Sequence, residues 1–101
     1  MAVPILKQGP FLIATIQAAL TDTDVLQLRD DVMAQVTRHR SRGIIVDVTA
    51  LDVMDSFVSR SLQGISRMTR LRGAETVIVG IQPEVAFAMV QLGMSFEDVS
   101  T

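Results

Sequence analysis

At 101 residues the chain is one domain's worth of sequence, too short to build two separate cores. It has no cysteine, which excludes disulfides, thiolate metal sites and cysteine nucleophiles; a net charge of −2 supplies no global attraction to DNA or RNA. Apolar residues make up 49% of the chain but only four are aromatic, all Phe, so Val, Ile, Leu, Met and Ala must form the core. The start lacks the cationic segment and apolar stretch of a signal peptide. Every apolar run also stops well short of the roughly 20 residues of a membrane span. A soluble, cytoplasmic domain that binds neither membrane nor nucleic acid is expected.

Two β-forming runs, residues 3–7 and 11–16, flank Gln8-Gly9-Pro10, the pattern of a hairpin. Pro4 and Pro10 cannot donate to a ladder, which assigns them to strand ends or an edge. Thr21-Asp22-Thr23-Asp24 is a cluster of helix-capping residues. Asp24 with Gln27 is the expected capping box, and Thr21 and Thr23 are alternative caps. Val25, Leu28, Val32 and Val36 recur at helical spacing, Arg38, His39, Arg40 and Arg42 suit the negative end of the dipole, and Gly43 is the expected stop.

Residues 43–48 form a continuous apolar run, read as a strand buried on both faces and followed by a loop over 49–54. Asp55 or Ser56 then caps a second helix reaching about Arg72 and ended by Gly73. Its apolar face is Val58, Leu62, Ile65 and Met68, and the small Ser61 and Gly64 are expected to let it approach a sheet closely. Residues 76–81 repeat the buried-strand pattern. Pro83 and Glu84 suit the first turn of a third helix closed by Gly93, and Met94-Ser95-Phe96 starts one more strand. The order β-β-α-β-α-β-α-β predicts a mixed, mostly parallel α/β sheet with crossover helices, the strands near 44–48 and 76–80 central, and the hairpin at one edge.

Chemistry concentrates where the strand ending at Asp47 meets the second helix. Three carboxylates, Asp47, Asp52 and Asp55, follow a buried strand, a place where open α/β sheets bind ligands. A magnesium-dependent phosphoryl-transfer site of the haloacid-dehalogenase type needs a second Asp two residues after the first, and Thr49 stands there instead. A receiver domain needs an acidic pair after its first strand, where Gln17 stands. The simplest role for Asp47 is a strand-end carboxylate bonded to nearby amides. His39 is the only histidine, so any Ser-His-Asp relay would have to use it. No dinucleotide fingerprint or phosphate loop is present. Arg60, Arg67, Arg70 and Arg72 give the second helix a basic side, either a solvated face or a docking surface for an acidic partner. Ser56 follows Asp55 at the expected helix start, where backbone N–H groups are unpaired; from position alone it reads as an ordinary cap.

The segment from Asp47-Val48-Thr49 through Leu51-Asp52 to Met54-Asp55-Ser56-Phe57, with Gly80-Ile81-Gln82-Pro83-Glu84-Val85-Ala86 and Gln91-Leu92-Gly93, resembles the STAS-domain anti-sigma-factor antagonists. The likeness runs from Val3 to about Asp98. Simple antagonists usually carry Asp-Ser-Ser or Asp-Ser-Thr followed by Gly; Phe57 and Val58 here point to the stressosome scaffold type. The resemblance implies a single STAS domain over residues 1–101, with the family's final helix missing. It implies a non-catalytic scaffold without metal or cofactor that sequesters a serine/threonine kinase and releases it when Ser56 is phosphorylated. Asp52, Asp55, Phe57 and Arg60 would contact the partner, and a serine phosphatase would reset the switch. Larger STAS paralogues with sensory domains would co-assemble with it. The alternatives are a simple antagonist of an anti-sigma-factor kinase, or a small-ligand or nucleotide-binding STAS module using the loop 49–55.

Overall fold

The computed structural model describes residues 3–51 and 56–81. Its elements are β1 (Ile5–Gln8), β2 (Phe11–Thr15), α1 (Asp22–His39), β3 (Gly43–Asp47), α2 (Ser56–Arg70) and β4 (Glu75–Val79). The strands lie side by side in chain order, β1-β2-β3-β4. β1 and β2 form the expected antiparallel hairpin, with Gln8 opposite Phe11 and Gly9 at a φ of 57° in the turn. β2, β3 and β4 are parallel, in a register that aligns Phe11, Gly43 and Glu75 at one end and Thr15, Asp47 and Val79 at the other. β4 ends the described sheet. The expected third helix and the strand near 94–96, with Pro83, Glu84 and Gly93, lie outside the described residues.

The local signals differ from expectation in detail. The α1 cap is Thr21, whose hydroxyl accepts from the Asp24 N–H at 3.1 Å while Asp24 Oδ2 accepts from the Thr21 N–H. Gln27 takes no part in that box and instead donates to Asp31 Oδ1 at 2.8 Å. α1 also stops without glycine: Arg40 takes the left-handed conformation, φ 50° and ψ 45°. Gly43 is the first residue of β3, where an added Cβ would sit 2.9 Å from the Phe11 ring. Its value is the space it leaves for that ring. After α2 the chain turns through Leu71 and Arg72, and Gly73 at φ 81° serves as the expected stop.

Strands β3 and β4 are not buried equally on both faces. Right-handed crossovers between strands that advance steadily across a sheet put both helices on the same face. That face is closed: Leu12, Ala14, Ile44, Val46 and Ile78 are almost fully buried against Val25, Leu28, Val32, Val58, Leu62 and Ile65. On the other face Ile13, Ile45 and Val77 are half-buried, and Phe11 and Val79 are exposed. α2 is shifted in phase from its expected apolar face as well. Met68 is exposed, while Ser59, Ser66 and Thr69 are buried. Gly64 has no neighbour within 4 Å of where its Cβ would lie, so no close helix–sheet approach depends on it. The buried hydroxyls are satisfied: Thr69 Oγ1 lies 3.0 Å from the Ser66 carbonyl and 2.9 Å from Thr76 Oγ1, stitching α2 to β4.

Candidate functional site

β3 delivers Asp47 to the carboxyl end of the parallel strands, level with Thr15 and Val79. Asp47 Oδ1 accepts from the Thr49 N–H at 2.9 Å and from the Thr49 hydroxyl at 2.6 Å. The hydroxyl, then the amide, hold the Asp47 carboxyl below the ordinary aspartate value of 3.8. This is the strand-end role expected for it, and it makes Asp47 a brace for the turn. The turn is anchored further by the Val48 N–H donating to the Val79 carbonyl at 3.0 Å and the Leu51 N–H to the Val48 carbonyl at 2.9 Å. Val48 and Leu51 are buried beneath it.

Against this brace lies Gly80, at φ 79°, just past β4. A Cβ there would meet the Thr49 hydroxyl and come within 2.8 Å of the Thr49 backbone. Only glycine permits this approach, which locks the end of β4 against the turn that follows β3. Sequence reasoning did not find this contact, although Gly80 interrupting an apolar run was a visible signal of close backbone approach.

Ser56 opens α2, as expected. Phe57 and Arg60 lie at the surface of its first turns; Asp52 and Asp55 fall outside the described residues. Of the neighbouring serines, Ser59 is fully buried and Ser61 half-buried. The first turn of α2 carries no acidic side chain of its own. His39 stands in the last turn of α1, a helix of 18 residues whose first turn is at the Asp47 end. At about 1.5 Å per residue, that helix separates His39 from Ser56 by far more than a proton relay spans. Among the described residues, no three His, Cys, Asp or Glu side chains gather as metal donors, and no helix is long and apolar enough to cross a membrane.

The braced turn at Asp47 and the four described strands in chain order characterise the fold around the site. The STAS domain model matches residues 2–99. The chain belongs to the STAS domain family. A chain of the stressosome, described as a signal integration and transduction hub, superposes with a TM-score of 0.82 at 35% identity, covering 97% of this chain and 85% of that one. A serine-to-glutamate variant of RsbS from Moorella thermoacetica superposes with a TM-score of 0.85 at 34% identity, covering 98% and 84%. In sequence, the RsbT co-antagonist protein RsbRA of Bacillus subtilis (strain 168) is 32% identical over 75 residues, which are 74% of this chain and 27% of that protein. The STAS chain thus spans about a quarter of the length of RsbRA and stands as a homologue of one segment of it. YezB, an uncharacterized protein of the same organism, is 28% identical over 72 residues and is matched over 74% of its own length.

Proposed function

We propose that this STAS chain is a single, non-catalytic scaffold domain of a stressosome-type signalling assembly in the cytoplasm. In this reading it holds a serine/threonine kinase through the start of α2 and releases it when Ser56 is phosphorylated. The observation that carries the reading is the match to the stressosome chain over 97% of this sequence at 35% identity. The burial of Ser59 supports Ser56 as the modified serine, because a kinase cannot reach a hydroxyl inside the core. A helix start offers unpaired N–H groups to an added phosphate, so the fold tolerates the charge there. Phe57 and Arg60 lie on the exposed side of the same turns and, with Asp52 and Asp55, form the proposed partner contact. A phosphate adds about −1.5 to −2 charges to a packed contact, enough to weaken it by at least about tenfold. A serine phosphatase would reset the state. Larger STAS proteins with additional domains, of the RsbRA kind, are the proposed co-assembling partners.

The test is a pull-down from host lysate, followed by titration of the captured kinase with unmodified and phosphorylated chain. Capture of large STAS proteins and a kinase, with weaker binding of the form phosphorylated at Ser56, is the expected result. Equal affinity of both forms, or phosphate at another serine, overturns the switch. Capture of an anti-sigma factor in place of STAS proteins makes the chain a simple antagonist.

A further inference from the structure

Charge in this molecule is sorted by position along the strands. α1 and α2 both run back from the carboxyl ends of the parallel strands, so their last turns gather beside Phe11, Gly43 and Glu75, next to the hairpin turn. Arg38, Arg40 and Arg42 stand where α1 passes into β3, and Arg67, Arg70 and Arg72 where α2 passes into β4; all are exposed. Lys7, also exposed, comes just before the hairpin turn. The three connections form one surface: the Arg42 N–H donates to the Pro10 carbonyl, the Arg42 carbonyl accepts from the Glu75 N–H, and Arg72 donates to Thr37 Oγ1. Most of the chain's nine Lys and Arg residues thus share one end. Among the described residues Glu75 is the only carboxylate there; with two helix C-termini of about half a charge each, it offsets about two of the positive charges. Arg67, Arg70 and Glu75 have interactions within the molecule, which leave the sum of charge at this end unchanged. A net charge of −2 conceals this basic pole.

The pole also carries an apolar tip. Leu71, in the turn after α2, is 88% exposed, more than any other large apolar side chain described. Its N–H still donates to the Arg67 carbonyl, so it keeps helical spacing, and the exposed Met68 stands on the same side three residues before it. Guanidinium groups around an apolar tip match a layer of anionic lipid headgroups, where phosphates take the arginines and the acyl boundary takes the leucine. A nucleic-acid backbone would satisfy the arginines and leave Leu71 and Met68 in water. An acidic protein would need a hollow shaped for Leu71, whereas a headgroup layer admits an apolar tip at any point. The described carboxylates Asp22, Asp24 and Asp47 lie at the opposite end, so an anionic surface attracts the molecule pole first.

We propose that the basic end is a peripheral docking surface for an anionic membrane, with the arginines at the headgroup phosphates and Leu71 inserted between them. The contact lies on the surface of the bilayer and is electrostatic in large part, so it weakens as salt rises. Ser56 opens α2 and Arg70 ends it, about 20 Å apart at about 1.5 Å per residue, so a docked molecule holds the start of α2 away from the lipid. The proposal does not rest on the reading of Ser56.

Co-sedimentation of the 101-residue chain with vesicles tests it, using pure phosphatidylcholine and a mixture with about 30% phosphatidylglycerol, at about 50 and 500 mM salt. The expected result is binding to the anionic vesicles at least about tenfold stronger than to the neutral ones, and lost at high salt. Arg38→Gln with Arg42→Gln removes two exposed charges and should weaken binding by about twentyfold. The chain has no tryptophan, so a single one reports depth. Leu71→Trp should shift its fluorescence to the blue on anionic vesicles, while Leu26→Trp, at an exposed site near the start of α1, should not. No binding to anionic vesicles at low salt, equal binding to both kinds, or a shift at Leu26→Trp without one at Leu71→Trp overturns the proposal. So does binding of a DNA duplex at about 150 mM salt by a chain that ignores vesicles, which would make the pole a nucleic-acid surface.

Discussion

Thr49 and Gly80 touch backbone to backbone, at a point where glycine's missing Cβ and its φ of 79° are both needed. Through that contact the ends of β3 and β4 brace one another. Replacing Gly80 with Ala should cost about 2–4 kcal/mol, since it combines a left-handed backbone with a clash against Thr49. Urea denaturation of Gly80→Ala measures it. Gly64→Ala is the control: it lies within α2 with open space around it and should stabilise by about 0.5–1 kcal/mol.

Acid should loosen the same turn. Asp47 is held below 3.8 by its bonds from Thr49, so its contribution is fully present above the unfolded value. It is lost as pH falls through the lower, folded value. Asp47→Ala removes both bonds and should cost about 1 kcal/mol at pH 7, and the gap between variant and wild type should narrow below pH 4. A denaturation midpoint measured from pH 7 to pH 2 follows it. A gap that widens on acidification would contradict the assignment.

The buried hydroxyls between α2 and β4 should be coupled. Thr69→Val leaves Thr76 without its partner at 2.9 Å and should cost about 1–3 kcal/mol. Thr76→Val leaves Thr69 its bond to the Ser66 carbonyl and should cost less. The double variant should cost less than the two single variants together, by a margin that a double-mutant cycle reads directly.

Serine positions along α2 should respond very differently to charge. Ser59→Asp places a carboxylate in the core and should cost at least about 3 kcal/mol, with loss of cooperative unfolding. Ser56→Asp adds its charge at the helix start and should change stability by less than about 1 kcal/mol. Circular dichroism melts of the two proteins separate these outcomes. If Ser59→Asp folds normally, burial no longer argues for Ser56 as the modified serine.

The parts of the fold that sequence revealed were those whose signals are local. The Gly9-Pro10 turn, the 25/28/32/36 spacing of α1 and the chain order of strands and helices depend on neighbouring residues alone. Exposure of Met68, partial burial of Ile45 and Val77, and the true place of Gly43 depend on which face each element turns to a distant partner. An apolar run signals a strand but does not say that both crossover helices share one face. At the site, Asp47's role was legible because its bonding partner is two residues away. Gly80 carried a local sign of close approach, but its partner was not legible, because Thr49 lies at the end of the neighbouring strand. Phe57, Arg60 and Ser56 were singled out through family likeness; the burial of Ser59 beside them came only from the packing of α2.

The sheet's strict chain order bears on how the molecule is made. Each strand pairs with the one synthesised just before it, and the two parallel pairings, Phe11 with Gly43 and Gly43 with Glu75, close loops of equal length. Among the described residues, no strand has to wait for a later one to be inserted beside an earlier neighbour. The hairpin can form first and serve as the template for β3, and β3 for β4, with each crossover helix laid down as its loop closes. The described strands can therefore form in the direction of synthesis and keep their unpaired apolar edges brief.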